Sequence, residues 1–271
     1  MTDTPSAVDW AQPWFAPLAP WGQPVLAAWQ AGRTVADALS TAPPSSAGVP
    51  PSVGFVGQHH LPAGRAYEQF IAEQRRVPTR DNAHDFFNGL VWHALPRAKA
   101  RMNALQAAEI ARDGVQARRG AVRDALTVLD ENGALLSAPA PLWQALADRR
   151  WSDVFGTLRP LWGSVHLWLL GHAALEKLLA PYKSITVHVL YAPPGLTTLD
   201  VADAWLAAHL DAERLRAKPF APLPVLGVPG WWAANGDAAF YDDATVFRPL
   251  RAQMRRFCYL NYSFLCKMEQ P

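Results

Sequence analysis

Apolar positions recur at helical spacing through most of this chain, and the spacing changes in only a few places. Over Gly64–Arg75, Tyr67, Phe70 and Ile71 share one side, which predicts a helix with that side inward. Arg97–Asp113 repeats the pattern with Met102, Leu105 and Ile110. Leu199–His209, opened by Thr198 or Asp200 as a cap and continuing to Arg216, predicts another helix. Shorter helices are expected near Pro24–Ala31, Thr34–Leu39, Pro141–Ala147 and Trp151–Phe155, and a buried one over Val165–Leu179, which is apolar on nearly every side. Ser184–Tyr191 alternates as a strand does. Asp124–Leu129 and Ala134–Leu136 flank Asp130-Glu131-Asn132-Gly133, which predicts a hairpin because Asn-Gly accommodates positive φ. Pro222–Trp232 reads as an irregular apolar loop leading to Phe240-Tyr241-Asp242-Asp243, and 42–51 as a Pro-rich loop. The expected fold class is α+β: a single helix-dominated domain with a small β-hairpin or sheet element. Residues 1–52 form a Pro/Ala/Trp-rich segment whose Trp10, Trp14, Phe15, Trp21 and Trp29 wrap it onto a globular domain of residues 53–271.

The stretch Val77–Trp92 departs from an ordinary amphipathic helix. Read as a helix from Thr79 to Ala94, it puts Asp81, His84, Asp85 and Asn88 at i, i+3, i+4 and i+7, opposite Phe86, Phe87, Leu90, Val91 and Ala94. A solvated face would carry Lys and Glu; this stripe holds short acceptors and one imidazole. Two readings stay open. Asp81, His84 and Asp85 could ligate a divalent metal such as Zn, Mn or Fe, or Asp85 could orient His84 as a general base. Alternatively, Thr79 or Asp81 caps the helix and the stripe is a structural network. His172 and Glu176, four apart, would complete a metal site if their helix packs on the stripe; otherwise they form a satisfied pair. Arg80, Arg123 and Asn88 are the candidates for holding an anionic substrate. Arg118, Arg119 and Arg123 with Gly120 could cradle a phosphate or carboxylate or form an exposed basic loop. The acidic run at 130–133 needs no ligand, because a hairpin turn accounts for all four residues.

Composition narrows the functional classes. A chain of 271 residues, 50% apolar and 18% charged with 12 Trp, can bury a large core. Net charge of +2 is too small for general nucleic-acid affinity, although Arg clusters at 75–76, 97–101 and 118–123 leave RNA contact as a minor option. Cys258 and Cys266 suggest neither a disulfide framework nor a zinc site. The expected location is the cytoplasm, since no secretory signal and no span long enough for a bilayer is visible. A Gly-rich phosphate loop before Lys-Ser/Thr, Gly-x-Gly-x-x-Gly, Gly-x-Ser-x-Gly and His-Glu-x-x-His are all missing.

Several blocks resemble, in order, the bacterial family catalogued as domain of unknown function 3025. They are Pro78–Phe87; Arg119-Gly120 through Arg123-Asp124-Ala125-Leu126-Thr127 to Asp130-Glu131-Asn132-Gly133; Gly171-His172 with Glu176-Lys177; Pro222–Trp231; and Phe240–Arg248. The resemblance implies a soluble bacterial protein and favours one domain over two. It supplies no catalytic residues. Two functional hypotheses follow from the residues themselves. One is a metal-dependent or acid–base hydrolase of a small anionic substrate, with His84 and Asp85 catalytic and Asp81, His84, Asp85, His172 and Glu176 as metal ligands. The other is a non-catalytic binding or interaction protein whose polar stripe is structural. Oligomeric state is not legible.

Overall fold

A helix running directly into a strand organises the molecule. The structure is a computed structural model that describes residues 5, 7–43, 53–114 and 120–250. Helix α6 (Ala121–Asn132) passes without a loop into strand β3 (Gly133–Ser137), so the expected hairpin turn does not form and Asp130-Glu131-Asn132 is the last turn of a helix. Val122, Ala125, Leu126 and Leu129 are buried at i, i+3, i+4 and i+7. Burying that stripe outweighs the local turn preference of Asn-Gly.

Strand β3 is buried at every position. It pairs antiparallel with β4 (His166–Leu169) and parallel with β5 (Thr186–Ala192), and β5 pairs antiparallel with β6 (Phe220–Pro224), giving the order β4-β3-β5-β6. Two expectations are corrected here. Residues 165–179 form no single helix: strand β4, a turn at Leu170-Gly171 and the short helix α8 (His172–Lys177) share them. An all-round apolar pattern suits a sheet-buried strand as well as a buried helix, and Leu135 and Leu136 of β3 supply the partners for Trp168 and Leu167. The supposed loop after Pro222 opens with β6, an outer strand, where Pro222 and Pro224 are tolerated because one side of the strand needs no ladder donors.

The remaining helices lie close to where periodicity placed them. They are α3 (Tyr67–Gln74), α5 (Pro96–Asp113), α7 (Ala140–Ala147), α9 (Leu199–His209) and α10 (Ala212–Arg216). The break between α9 and α10 was not expected; Leu210 leaves the helix and the Asp211 side chain accepts the Arg214 amide at 2.8 Å to start the next one. Helix α5 begins at Pro96, and Asp203 of α9 accepts the amides of Arg97 and Ala98 at 3.1 and 2.8 Å. A parallel pair, β1 (Gly54–Gly57) with β2 (Arg76–Thr79), was not legible from alternation in such short runs.

Helix α4 (Ala83–Ala94) starts later than expected. Thr79 ends β2, and Asn82 caps α4 by accepting the Asp85 amide at 2.8 Å. Nearly the whole helix is buried, partly beneath the amino-terminal segment. From that segment come α1 (Ala19–Gln30) and α2 (Val35–Leu39); Phe15 stacks on Phe87 at 5.5 Å and Trp29 tilts against Phe86 at 5.4 Å. Near the other end of α4, the buried His93 donates Nε2–H to the Leu39 carbonyl at 3.0 Å.

The turn after β4 docks on the α6–β3 junction. Leu170 and Gly171 amides both donate to the Gly133 carbonyl, at 3.1 and 2.8 Å. A Cβ on Gly171 would stand 2.4 Å from Gly133 N and 2.5 Å from Asn132 Cα. Both obstacles are backbone and cannot swing aside.

Gly171→Ala should therefore destabilise the protein by roughly 1–3 kcal/mol, the usual penalty for overpacking, read as a lower urea midpoint; a variant with the parental midpoint would show that the junction can open freely. Acid stability gives a second check. Burial pushes the His93 imidazole from its ordinary 6.5 down to about 4. The unfolded chain takes up a proton at the higher pH and the folded chain only at the lower one. Stability is thus lost as pH falls from about 6.5 to about 4, by roughly 3 kcal/mol from this residue. His93→Gln should flatten the pH dependence of unfolding in that interval, and an unaltered profile would assign the loss elsewhere.

Candidate metal centre

Three helix ends converge beside the α6–β3 junction. The first turn of α4 presents His84, the last turn of α6 presents Asp130 and Glu131, and α8 presents His172 in its first turn with Glu176 one turn on. His84 Nε2 faces His172 Nε2 at 2.9 Å. Glu131 Oε2 lies 3.9 Å from the first nitrogen and 3.6 Å from the second. One ligand atom from each of His84, Glu131 and His172 thus falls within 4.8 Å of the others. On its far side, His84 Nδ1 meets Glu176 Oε2 at 2.9 Å. A carboxylate only accepts, so Nδ1 carries a proton there, and Nε2 is the nitrogen turned toward His172.

The two imidazoles differ in their surroundings. His84 is part-exposed, with 29% of its side chain open to solvent, whereas His172 is buried. Burial lowers the His172 imidazole to about 4 against the opposing pull of Asp130, so it is neutral at neutral pH. Its Nδ1 has no hydrogen-bond partner and lies 3.8 Å from Asp130 Oδ2. Burial on its own would raise the Asp130 carboxyl, but the charge of Lys99, helped by its hydrogen bond, holds it below the ordinary value. Lys99 Nζ donates to Asp130 Oδ1 at 2.5 Å and to Asn88 Oδ1 at 2.8 Å, and sits 5.3 Å from the Trp92 ring centre. Behind this pair is a cavity of about 10 Å³ lined in part by Tyr67, Glu68, Asn88, Asn103 and Asp130, enough for about one water. Burial, then the nearby Asp130 charge, raises Glu68 to about 7 although Asn103 donates to it.

The polar stripe read from the sequence is divided among four tasks. Only His84 reaches the centre. Asp81 precedes the helix and accepts the Val35 amide at 2.7 Å, capping α2. Asp85 turns back to accept Arg80 N, Nε and Nη2 at 2.6, 3.1 and 2.8 Å, so both its oxygens are already engaged away from His84 Nε2. Asn88 faces inward, accepting from Lys99 and donating to the Tyr67 hydroxyl at 3.3 Å. Asp81 and Asp85 are therefore not placed as ligands, nor Asn88 as a substrate contact. Arg80 remains at the rim: its side chain is 56% exposed and close enough to Glu176 to feel its charge. Arg123 is on α6 two turns before Asp130, about 10 Å along the axis, with its charge acting on Glu68 and its Nε enclosed without a partner. Arg97 is engaged by Asp200, and Arg101 by the Leu210 carbonyl. Arg118, Arg119, Cys258 and Cys266 fall outside the described residues.

Glu131, Asp130 and Lys99 were missed. The buried stripe at 122, 125, 126 and 129 carried the available signal: read as a helix, it places Asp130 and Glu131 at a helix end instead of a turn. Glu176, expected as a ligand, occupies the far nitrogen of His84 instead.

Among the described residues no helix is long and apolar enough to cross a membrane. No curated protein and no solved structure matches the chain. A family model described as "Protein of unknown function (DUF3025)" matches residues 53–251, from just before β1 to beyond β6, and takes in His84, Glu131 and His172. The protein belongs to the DUF3025 family.

Proposed function

We propose that this protein is a divalent-metal-dependent hydrolase of a small anionic substrate, with His84, His172 and Glu131 as metal ligands. The observation that carries this reading is the convergence of two imidazole nitrogens and one carboxylate oxygen from three separate helices. Three protein ligands leave coordination positions for water and substrate, as catalytic zinc sites do. His84 and Glu131 keep 29% and 36% of their side chains exposed, which gives solvent and substrate access. Glu176 accepts from the non-ligating nitrogen of His84, the arrangement by which carboxylates orient ligating imidazoles. A bound divalent ion would supply a hydroxide near neutral pH and polarise the scissile bond. Arg80, exposed at the rim beside Glu176 and paired on one side with Asp85, would be the group that draws in an anion.

A second reading is a non-catalytic binding protein. The 2.9 Å between the two Nε2 atoms is also the length of a direct imidazole–imidazole hydrogen bond, and Asp81 and Asp85 already serve structural ends.

Titration of chelator-treated protein with Zn, Mn or Fe(II) should show one strongly bound equivalent. His84→Ala and Glu131→Ala should each weaken it by about 100-fold or more, beyond the loss of an outer partner, with hydrolysis of phosphate or carboxylate esters only in metal-loaded parent protein. Parent protein that takes up no metal would overturn the centre. That outcome would select the binding reading, whereas metal uptake without turnover on anionic esters would remove the hydrolase and leave the centre.

A further inference from the structure

Resting on the proposed metal centre, we infer that Asp130 and Lys99 are positioning residues for it: Lys99 fixes the Asp130 carboxylate, and that carboxylate fixes the tautomer and ring plane of His172.

At 2.9 Å, two imidazoles that face each other through Nε2 share either a proton or a cation between those nitrogens. His84 keeps its proton on Nδ1, where Glu176 accepts it. With one proton on each ring and no cation between them, His172 carries its proton on Nε2. That choice leaves a bare Nδ1 lone pair buried 3.8 Å from a carboxylate oxygen, with no donor to satisfy it. Such an arrangement is doubly unfavourable, because a buried acceptor goes unpaired and faces negative charge. A cation on the Nε2 side removes the conflict. His172 then protonates Nδ1, which faces Asp130, while both Nε2 lone pairs face the ion. Each ligating histidine would have its own carboxylate behind it: Glu176 for His84 and Asp130 for His172.

Lys99 makes this backing rigid. Its buried ammonium holds Asp130 Oδ1 at 2.5 Å and Asn88 Oδ1 at 2.8 Å, leaving Oδ2 on the His172 side. Asn88 is in turn held by the Tyr67 hydroxyl at 3.3 Å. The chain from Tyr67 to His172 therefore runs through α3, α4, α5, α6 and α8, and ties the buried ligand to the interior while His84 and Glu131 stay near solvent. It also gives Asn88 and Lys99 a task that neither a solvated face nor a substrate contact explains.

The test measures metal affinity, the visible spectrum of the Co(II)-loaded protein and the His172 tautomer by long-range ¹⁵N–¹H correlation. All three use the full chain. Asp130→Asn should weaken Co(II) and Zn(II) binding about 10–100-fold and shift the Co(II) spectrum, and Asp130→Glu should recover part of both. In metal-loaded parent protein the His172 proton should reside on Nδ1. Lys99→Met provides an independent arm should Asp130→Asn fail to fold. It should weaken metal binding with the His84–Glu176 pair intact. Unchanged affinity and spectrum in a folded Asp130→Asn or Lys99→Met protein would overturn the inference while leaving the metal centre standing. A parent protein that binds no metal would instead remove the centre on which it rests.

Discussion

The close approach of two backbones at Gly133 and Gly171 is the constraint on which the rest of the site depends. Gly133 follows α6 and begins β3, and Gly171 lies against it so closely that a Cβ on Gly171 would strike the Asn132–Gly133 backbone, while one on Gly133 would strike Leu129. Two amides converge on one carbonyl there, so the contact is held by hydrogen bonds as well as by fit. Because the next residue after Gly171 is His172, and Asp130 and Glu131 are the last acidic residues before Gly133, this contact sets the spacing between imidazole and carboxylates. A ligand set needs its donors fixed to within a fraction of an ångström. Main chain packed on main chain provides that without relying on side-chain rotamers.

The second half of the site is fixed differently. His84 stands on the first turn of a helix that is otherwise enclosed, pinned by Phe15 and Trp29 on one flank and by the cap of Asn82. The acids around it are occupied: Asp85 holds the incoming chain through Arg80, and Asp81 holds α2. These bonds keep the helix start in place. They also strip the neighbourhood of spare carboxylates, so that the acids left to meet His84 come from α6 and α8. The structural reading of the polar stripe thus holds for Asp81, Asp85 and Asn88, and only His84 stands where the proposed centre needs it.

Buried polarity is concentrated behind the exposed edge of the centre. Lys99, Asn88, Tyr67 and Asp130 form one connected set around a cavity of about 10 Å³. A buried ammonium is tolerated there because a carboxylate, an amide oxygen and an indole face all meet it. The same partners make its position well defined, which lends Lys99 and Asp130 to an orienting role.

Long periodic segments were legible in the sequence. α3, α5, α7 and α9 follow their apolar stripes, Thr34 and Thr198 cap where a hydroxyl before a helical run should, and β5 alternates as its burial requires. His84, His172 and Glu176 could be named from spacing, since His84 shares a face with other polar groups and the other two, four apart, share one with each other. What tertiary structure alone decided is every choice for which local rules allowed two answers. Asn-Gly can turn a hairpin or end a helix, and burial of Leu126 and Leu129 chose the helix. An apolar run can be a buried helix or a sheet strand, and the presence of β3 chose the strand. A carboxylate can bind a metal, cap a helix or pair with Arg, and the nearest unsatisfied donor made the choice for Asp81 and Asp85. The convergence of Glu131 with two histidines 41 and 47 residues away in the chain left no local trace, because it arises from backbone contact between segments that the sequence keeps apart.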